Sequence, residues 1–189
     1  MKKSFQNLRS HLFNSAMNYL LTNQETERLG FRALTKEDFQ DWLPFFENKM
    51  ILTYFGINPN LPQKKLCENW FKKVFHRYEN NLGGMNAIIL KETGELIGQC
   101  GLLIQTVEGK ERLEIGYSLL PKYRGKGYAT EAAVKCKEFA FQNGIATELI
   151  SMIHIDNIAS ENVAKKNGMN LESIIDFEGM PAKVYSISK

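Results

Sequence analysis

The sequence predicts one α+β domain of about seven strands and four helices, preceded by a further helix. Three observations carry this. Apolar positions alternate along the chain between a period of two and a period of 3.6, in the order strand, two helices, three strands, helix, strand, helix, two strands. The three central strands are joined by short turns and so read as an antiparallel meander. The last of them, Glu114 to Leu119, runs through a glycine-rich cationic turn into a helix.

Taken in order, residues 4–21 place Phe5, Leu8, Leu12, Ala16, Tyr19 and Leu20 three and four apart, an amphipathic helix. With the residues up to 25 it reads as an extension, either packed on its own domain or serving as the arm of a homodimer. Residues 26–34 alternate as an opening strand. Thr35 followed by Asp38 is an acidic capping box that starts a helix carrying Phe39, Trp42 and Leu43, which Pro44 kinks or ends. Residues 48–62 are poorly periodic and read as a connection; its Tyr54-Phe55-Gly56 is of the kind that shapes a cleft. A second helix spans 64–78. Strands at 85–91, 96–105 and 112–119 follow, joined by Glu92-Thr93-Gly94-Glu95 and by Val107 to Glu111. The helix after the loop places Ala129, Ala132, Ala133, Cys136, Phe139 and Ala140 on one face and stops at Asn143-Gly144. A strand at 148–154, a helix from Asn157 to Gly168, and strands at 171–177 and 183–187 complete the domain.

The 189 residues are enough for one sizeable core. A net charge of +3 is too mild to argue for nucleic acid, so cations matter only where they cluster. Cys67, Cys100 and Cys136 are odd in number and sit among apolar neighbours, which fits buried thiols rather than a disulfide framework. Arg9, His11 and Asn14 interrupt any signal-like apolar run, and no stretch approaches a membrane span, so the expectation is a cytoplasmic protein without a membrane partner. His11, His76 and His154 lack ligand spacing, so no metal is expected.

The turn between strand and helix is where chemistry concentrates. Lys122, Arg124 and Lys126 surround Gly125 and Gly127 just before the helix begins. Free backbone N–H groups at a helix N-terminus bind anions, and glycine lets a phosphate come close. A P-loop is excluded because Tyr128-Ala129 follows Gly127, and a dinucleotide fingerprint is excluded by Thr130. Gly116 to Leu120 lacks the closing glycine of a nucleophile elbow.

The pattern that does fit is Arg124, Gly127 and Ala129 as Arg-x-x-Gly-x-Ala. Here the chain resembles the GNAT acetyltransferases. A second motif, Asn157, Ser160, Lys166, Gly168 and Met169, supports the resemblance, which runs from about Glu27 to Ile187. Thr26-Glu27-Arg28-Leu29, Phe31-Arg32 and Glu114-Ile115-Gly116-Tyr117 are most like the branch of ribosomal-protein N-terminal acetyltransferases. The resemblance implies the GNAT fold, with a central, mixed and mostly antiparallel twisted sheet. It implies acetyl-CoA as co-substrate and an amine as acceptor, whether a protein N-terminus or a small molecule. The implied acetyl-CoA contacts are Leu119, Leu120, Arg124, Gly125, Lys126, Gly127, Tyr128, Ala129, Asn157, Ser160 and Lys166.

Transfer to an amine needs a base. At pH 7 deprotonation costs about 1 kcal/mol for an α-amine and about 4.6 for a lysine. Glu114 is the candidate: alternation puts it on the face of Gly116 and Ser118, away from Leu113, Ile115 and Tyr117. A rim glutamate paired with Arg112 or Lys110 is the alternative. For the general acid, many of these enzymes carry a tyrosine where this chain has Ala164, and the resemblance suggests Ser160, which could otherwise be a helix cap. His154 is either an auxiliary base or structural. Two further readings stand beside the enzyme: a GNAT-fold module that binds acetyl-CoA without turnover, and a nucleotide or nucleic-acid binder using the basic loop.

Overall fold

The protein is described here as a computed structural model covering residues 19–189. Of the helix expected over 4–21, residues 4–18 lie outside the described residues, as does most of the extension expected over 1–25, and Leu20 and Leu21 at its end are not helical. What is described of it is already packed: Leu21 is fully buried in the core and its N–H donates to Asn86 Oδ1 at 2.9 Å.

Seven strands form one sheet: β1 (Leu29–Ala33), β2 (Gly83–Leu90), β3 (Leu96–Val107), β4 (Lys110–Leu119), β5 (Glu148–His154), β6 (Asn170–Phe177) and β7 (Met180–Ser188). Their order is β1-β2-β3-β4-β5-β7-β6, and every pairing is antiparallel except β4 with β5. The α-helices among the described residues are α1 (Phe39–Trp42), α2 (Lys49–Thr53), α3 (Gln63–Glu79), α4 (Tyr128–Gln142) and α5 (Ile158–Lys166). No helix among the described residues is long and apolar enough to cross a membrane.

Alternate residues of β3 sort the helices onto opposite faces of the sheet. Gln99 accepts a hydrogen bond from Trp70 Nε1 of α3 at 3.0 Å, whereas the neighbouring Cys100 meets Cys136 of α4, Sγ to Sγ 3.3 Å. That separation is a thiol contact rather than a covalent bond; all three cysteines are free and buried, as expected. Burial pushes the Cys100 and Cys67 thiols up, the latter to about 12, which leaves them unreactive.

Three segments depart from the sequence expectation. The helix started by Asp38 is broken into a 3₁₀ turn at Lys36–Asp38, one turn of α-helix, and a second 3₁₀ stretch at Leu43–Glu47 holding Pro44. Proline removes a donor there, and stacking of Trp42 on Phe45 (centroids 4.7 Å) fixes the tighter path. The connection over 48–62 contains α2, whose Asn48 side chain accepts from the N–H groups of Met50 and Ile51. Five residues are too few to show a period, which is why the sequence hid it. The opening strand begins at Leu29 rather than 26, because Thr26 and Arg28 are engaged elsewhere, as described below.

The far end of the β4–β5 pair is pinned by charge. Arg112 reaches Glu148 of β5 at 2.6 Å and Glu172 of β6 at 2.7 Å, so Arg112 does not pair with Glu114. A second ion pair closes the entry to α1. Asp38, nearly buried, accepts two bonds from the Arg32 guanidinium at 2.7 and 2.6 Å and one from the Thr35 N–H at 2.8 Å. Burial pushes the Asp38 carboxyl up, but Arg32 and the Thr35 N–H together bring it below its usual value. A lowered value means stability present above about pH 4 and lost as pH falls through the folded value. Asp38→Asn should therefore destabilise the protein by about 1–2 kcal/mol at pH 7. Urea unfolding at pH 7 and in acid should show the gap between variant and parent closing at low pH.

Candidate active site

The two strands that leave the ion-paired end do not stay together. β4 and β5 share a single registered pair, Glu114 with Ile150. Just beyond it, two main-chain groups that a continuing ladder would satisfy are taken by side chains. The Met152 N–H donates to Glu114 Oε1 at 3.3 Å, and the Ser151 hydroxyl donates to the Ile115 carbonyl at 2.9 Å. Past this fork the strands part, and a cavity of about 500 Å³ opens between them. It is lined from both faces of the sheet. Glu114, Gly116, Met152 and His154 come from the α3 side; Ile115, Tyr117, Ser151 and Ile153 come from the α4 side.

Glu114 is 8% exposed. Gln105 Nε2 donates to its Oε2 at 2.7 Å, and the Arg77 guanidinium in turn donates to Gln105 Oε1 at 3.0 Å. Arg77 also donates to the carbonyls of Leu82 and Ile104. Burial pushes the Glu114 carboxyl above its usual value, against Gln105, the Met152 N–H and the nearby cations Arg77 and Lys73, all of which lower it. A carboxylate raised toward neutrality is a better match for accepting a proton at pH 7 than an exposed one. Gly116 keeps the cavity open beside it: a Cβ there would come within 2.6 Å of Leu103 Cδ1.

On the other face, Tyr117 donates its hydroxyl to the Ser160 carbonyl at 2.8 Å. Ser160 is not the cap of α5. Asn157 is, accepting from the Ser160 N–H at 3.2 Å, and the Ser160 hydroxyl makes no hydrogen bond among the described residues. Asn157 and Ser160 line the same cavity as Glu114. His154 lines it too, tilted against Tyr54 with centroids 5.1 Å apart, and its Nδ1 accepts the Asp156 N–H at 3.2 Å. The Asp156 carboxylate also faces Nδ1, at 3.8 Å.

The glycine-rich turn lies at the same end of β4. Gly127 is the N-cap of α4 with φ +84°, a left-handed conformation that glycine adopts without strain. The Glu131 N–H is the first to bond back along the helix, to Gly127 O at 3.1 Å, so the amides before it carry no intrahelical partner. Gly125 also has a positive φ, and Ala129 sits in the first turn, partly buried. Arg124 folds inward, donating from Nε to the Leu119 carbonyl at 3.0 Å, and burial lowers its pKa. The side chains of Leu119 and Leu120 are in the core, the Leu119 carbonyl is taken by Arg124, and the Leu120 N–H and carbonyl are bonded to Ile97 and Tyr123. Lys166 is exposed on the last turn of α5, outside the cavity lining.

The sequence did not indicate what braces this turn. Arg28 donates to Glu131 Oε2 at 2.6 Å and to the Lys126 carbonyl at 3.1 Å, and lies 4.5 Å over the Tyr128 ring. The Thr26 hydroxyl holds the other Glu131 oxygen at 2.5 Å. Gln105 and Ser151, which complete the fork, were equally silent, because a neutral polar residue in a strand carries no pattern of its own.

With this geometry in place, comparison with known proteins is decisive. The sequence model of the acetyltransferase (GNAT) domain matches residues 28–170. The chain belongs to the GNAT acetyltransferase family. It is 30% identical over 167 residues to YkkB of Bacillus subtilis, an alignment covering 87% of this chain and 94% of that one. The crystal structure of an acetyltransferase from Agrobacterium tumefaciens superposes with a TM-score of 0.74 at 28% identity, covering 89% and 95% of the two chains. RimL, a ribosomal L7/L12 α-N-protein acetyltransferase solved with coenzyme A, shares the GNAT fold with a TM-score of 0.68 at 17% identity, covering 88% and 97%.

The Arg77–Gln105–Glu114 chain makes a checkable statement. Gln105→Leu removes a bond that lowers the Glu114 carboxyl and leaves burial unopposed at that oxygen. Carboxyl carbon NMR should then show Glu114 titrating at higher pH in the variant than in the parent, with the fold intact by circular dichroism.

Proposed function

We propose that this GNAT enzyme transfers the acetyl group of acetyl-CoA to a primary amine at the gap between β4 and β5, with Glu114 as general base. The observation that carries the reading is the fork itself. It joins a buried carboxylate on one face of the sheet to a slot reaching the other face, close to a helix N-terminus with unpartnered amides.

The residues fit the co-substrate. The amides before Glu131, together with the αL glycine, suit a pyrophosphate, and Lys126 adds positive charge, whereas Lys122 is paired with Glu95 at 3.1 Å. The edge of β4 beyond Glu114 no longer pairs with β5, so its main chain is available to amide groups laid along it. Acetyl-CoA, when bound, supplies an activated acyl group. Glu114 accepts the proton of the amine, directly or through one water, as the nitrogen attacks the thioester carbonyl. Arg77 and Gln105 hold the carboxylate in one orientation, so it does not have to reorganise as it takes the proton. The thiol carries a proton away as the thioester bond breaks. Ser160, whose hydroxyl is not used for capping, and Tyr117, whose hydroxyl points at the same turn of α5, are the donors within reach of that side of the slot.

Glu114→Gln should retain acetyl-CoA binding and reduce turnover by about 100- to 10,000-fold, the usual contribution of a general base. The deficit should narrow as pH rises and the free amine becomes neutral unaided. Thiol release followed from pH 6 to pH 9.5 reads this directly, and an unchanged rate would remove Glu114 from the mechanism. For the turn, Gly127→Val should abolish the rise in melting temperature that acetyl-CoA gives the parent protein. A full thermal shift in that variant would place the pyrophosphate elsewhere.

A further inference from the structure

We propose that the acceptor is a monoamine carried on an apolar body, and that the distribution of charge in the cavity excludes polycationic amines. This deepens the acetyl-transfer reading and rests on it.

The acceptor side of the slot is the α3 side, where Glu114 faces. Its walls are largely apolar, with Trp70 and Val74 from α3, Met85 and Leu103 from the sheet, and Phe55 and Leu61 from the connection before α3; Asn58 and Asn69 add neutral amides and no charge. Among the described residues, four charged side chains line the cavity: Lys73, Arg77, Glu114 and Glu178. Glu178 is exposed at the tip of the β6–β7 hairpin. That leaves one carboxylate at depth, Glu114, and it is the group that takes the proton of the reacting amine. Arg77 is fully engaged with two carbonyls and Gln105. Lys73 forms no ion pair among the described residues, and it lies close enough to lower the Glu114 carboxyl.

A polyamine or an amino sugar brings a second ammonium within a few bonds of the first. At depth that charge would meet apolar walls with no carboxylate to replace its water, and nearer the mouth the exposed Lys73 offsets the exposed Glu178. An aromatic cage could substitute for a carboxylate. Trp70 is not free to form one: its ring is packed among Trp42, Phe45, Phe46 and Phe55, with centroids 5.4 to 6.1 Å away, and its N–H is held by Gln99. A single amine on an aromatic or branched aliphatic group loses nothing in the same place. Its body fills the apolar walls and its one charge disappears onto Glu114.

The test is thiol release from saturating acetyl-CoA by the full chain with four acceptors: phenylethylamine, a short peptide with N-terminal phenylalanine, 1,4-diaminobutane and spermidine. At least one of the two apolar amines should exceed both polyamines in kcat/KM by 30-fold or more. Which of them is faster separates a free small amine from a chain terminus. A second arm uses Leu61→Glu. Leu61 is 41% exposed at the cavity rim, so the change places a carboxylate there without disturbing the core. It should raise the ratio of spermidine to phenylethylamine turnover by five-fold or more. Spermidine turned over as well as the apolar amines, or a ratio unmoved by Leu61→Glu, overturns the proposal and leaves acetyl transfer standing. No thiol release with any of the four, while acetyl-CoA still raises the melting temperature, overturns the transfer reading and this proposal with it.

Discussion

A parallel pair of strands that stops pairing in the middle of a sheet must leave buried backbone groups without partners, and burying them so is costly. Everything else in this protein follows from how that problem is met. Met152 gives its N–H to the Glu114 carboxylate, and Ile115 gives its carbonyl to the Ser151 hydroxyl. The side chain that reads as the base is therefore also the one that allows the ladder to end. The cavity exists because the ladder ends there, and the carboxylate is buried because it serves as a substitute for main chain. Its raised pKa is a consequence of the same burial.

This double duty explains what the sequence could and could not reveal. The order of elements was legible because long periodic segments are. The helix read over 64–78 is Gln63–Glu79, and the strand read over 148–154 is β5 with the same ends. The turn before α4 was legible because glycine and cations have local geometric meaning there. Glu114 stood out because a carboxylate in an apolar strand breaks the pattern. What remained hidden was contact across the chain: Arg28 bracing Glu131 over 103 residues, and Ser151 reaching Ile115 over 36. Neither belongs to a period or a turn, and polar residues with distant partners look like surface until the fold brings the partners together. Short helices such as α2 were lost for a different reason, since a cap and one turn leave almost no periodic trace.

The two faces of the sheet divide the work. On the α4 side, Arg28, Thr26 and Glu131 hold the glycine turn in one shape while its amides stay unpaired. On the α3 side, an aromatic cluster around Trp42, Phe45 and Trp70 gives the acceptor half rigid apolar walls. The half proposed to bind the anion is thus built from main chain and, among the described residues, a single ion pair. The half proposed to face the amine is built from side chains on α3 and on the connection before it.

Arg112 gives this division a mechanical footing. It ties the closed ends of β4, β5 and β6 together through Glu148 and Glu172, two residues behind the Glu114–Ile150 pair at which the slot opens. The arrangement works like the rivet of a pair of shears: the blades stand apart at a set angle because they are fastened behind the gap. The residues between the blades are then released from the task of keeping them apart. Substitution of the apolar walls can alter which amine is admitted while the opening keeps its width, so this scaffold can change its acceptor without rebuilding its donor site.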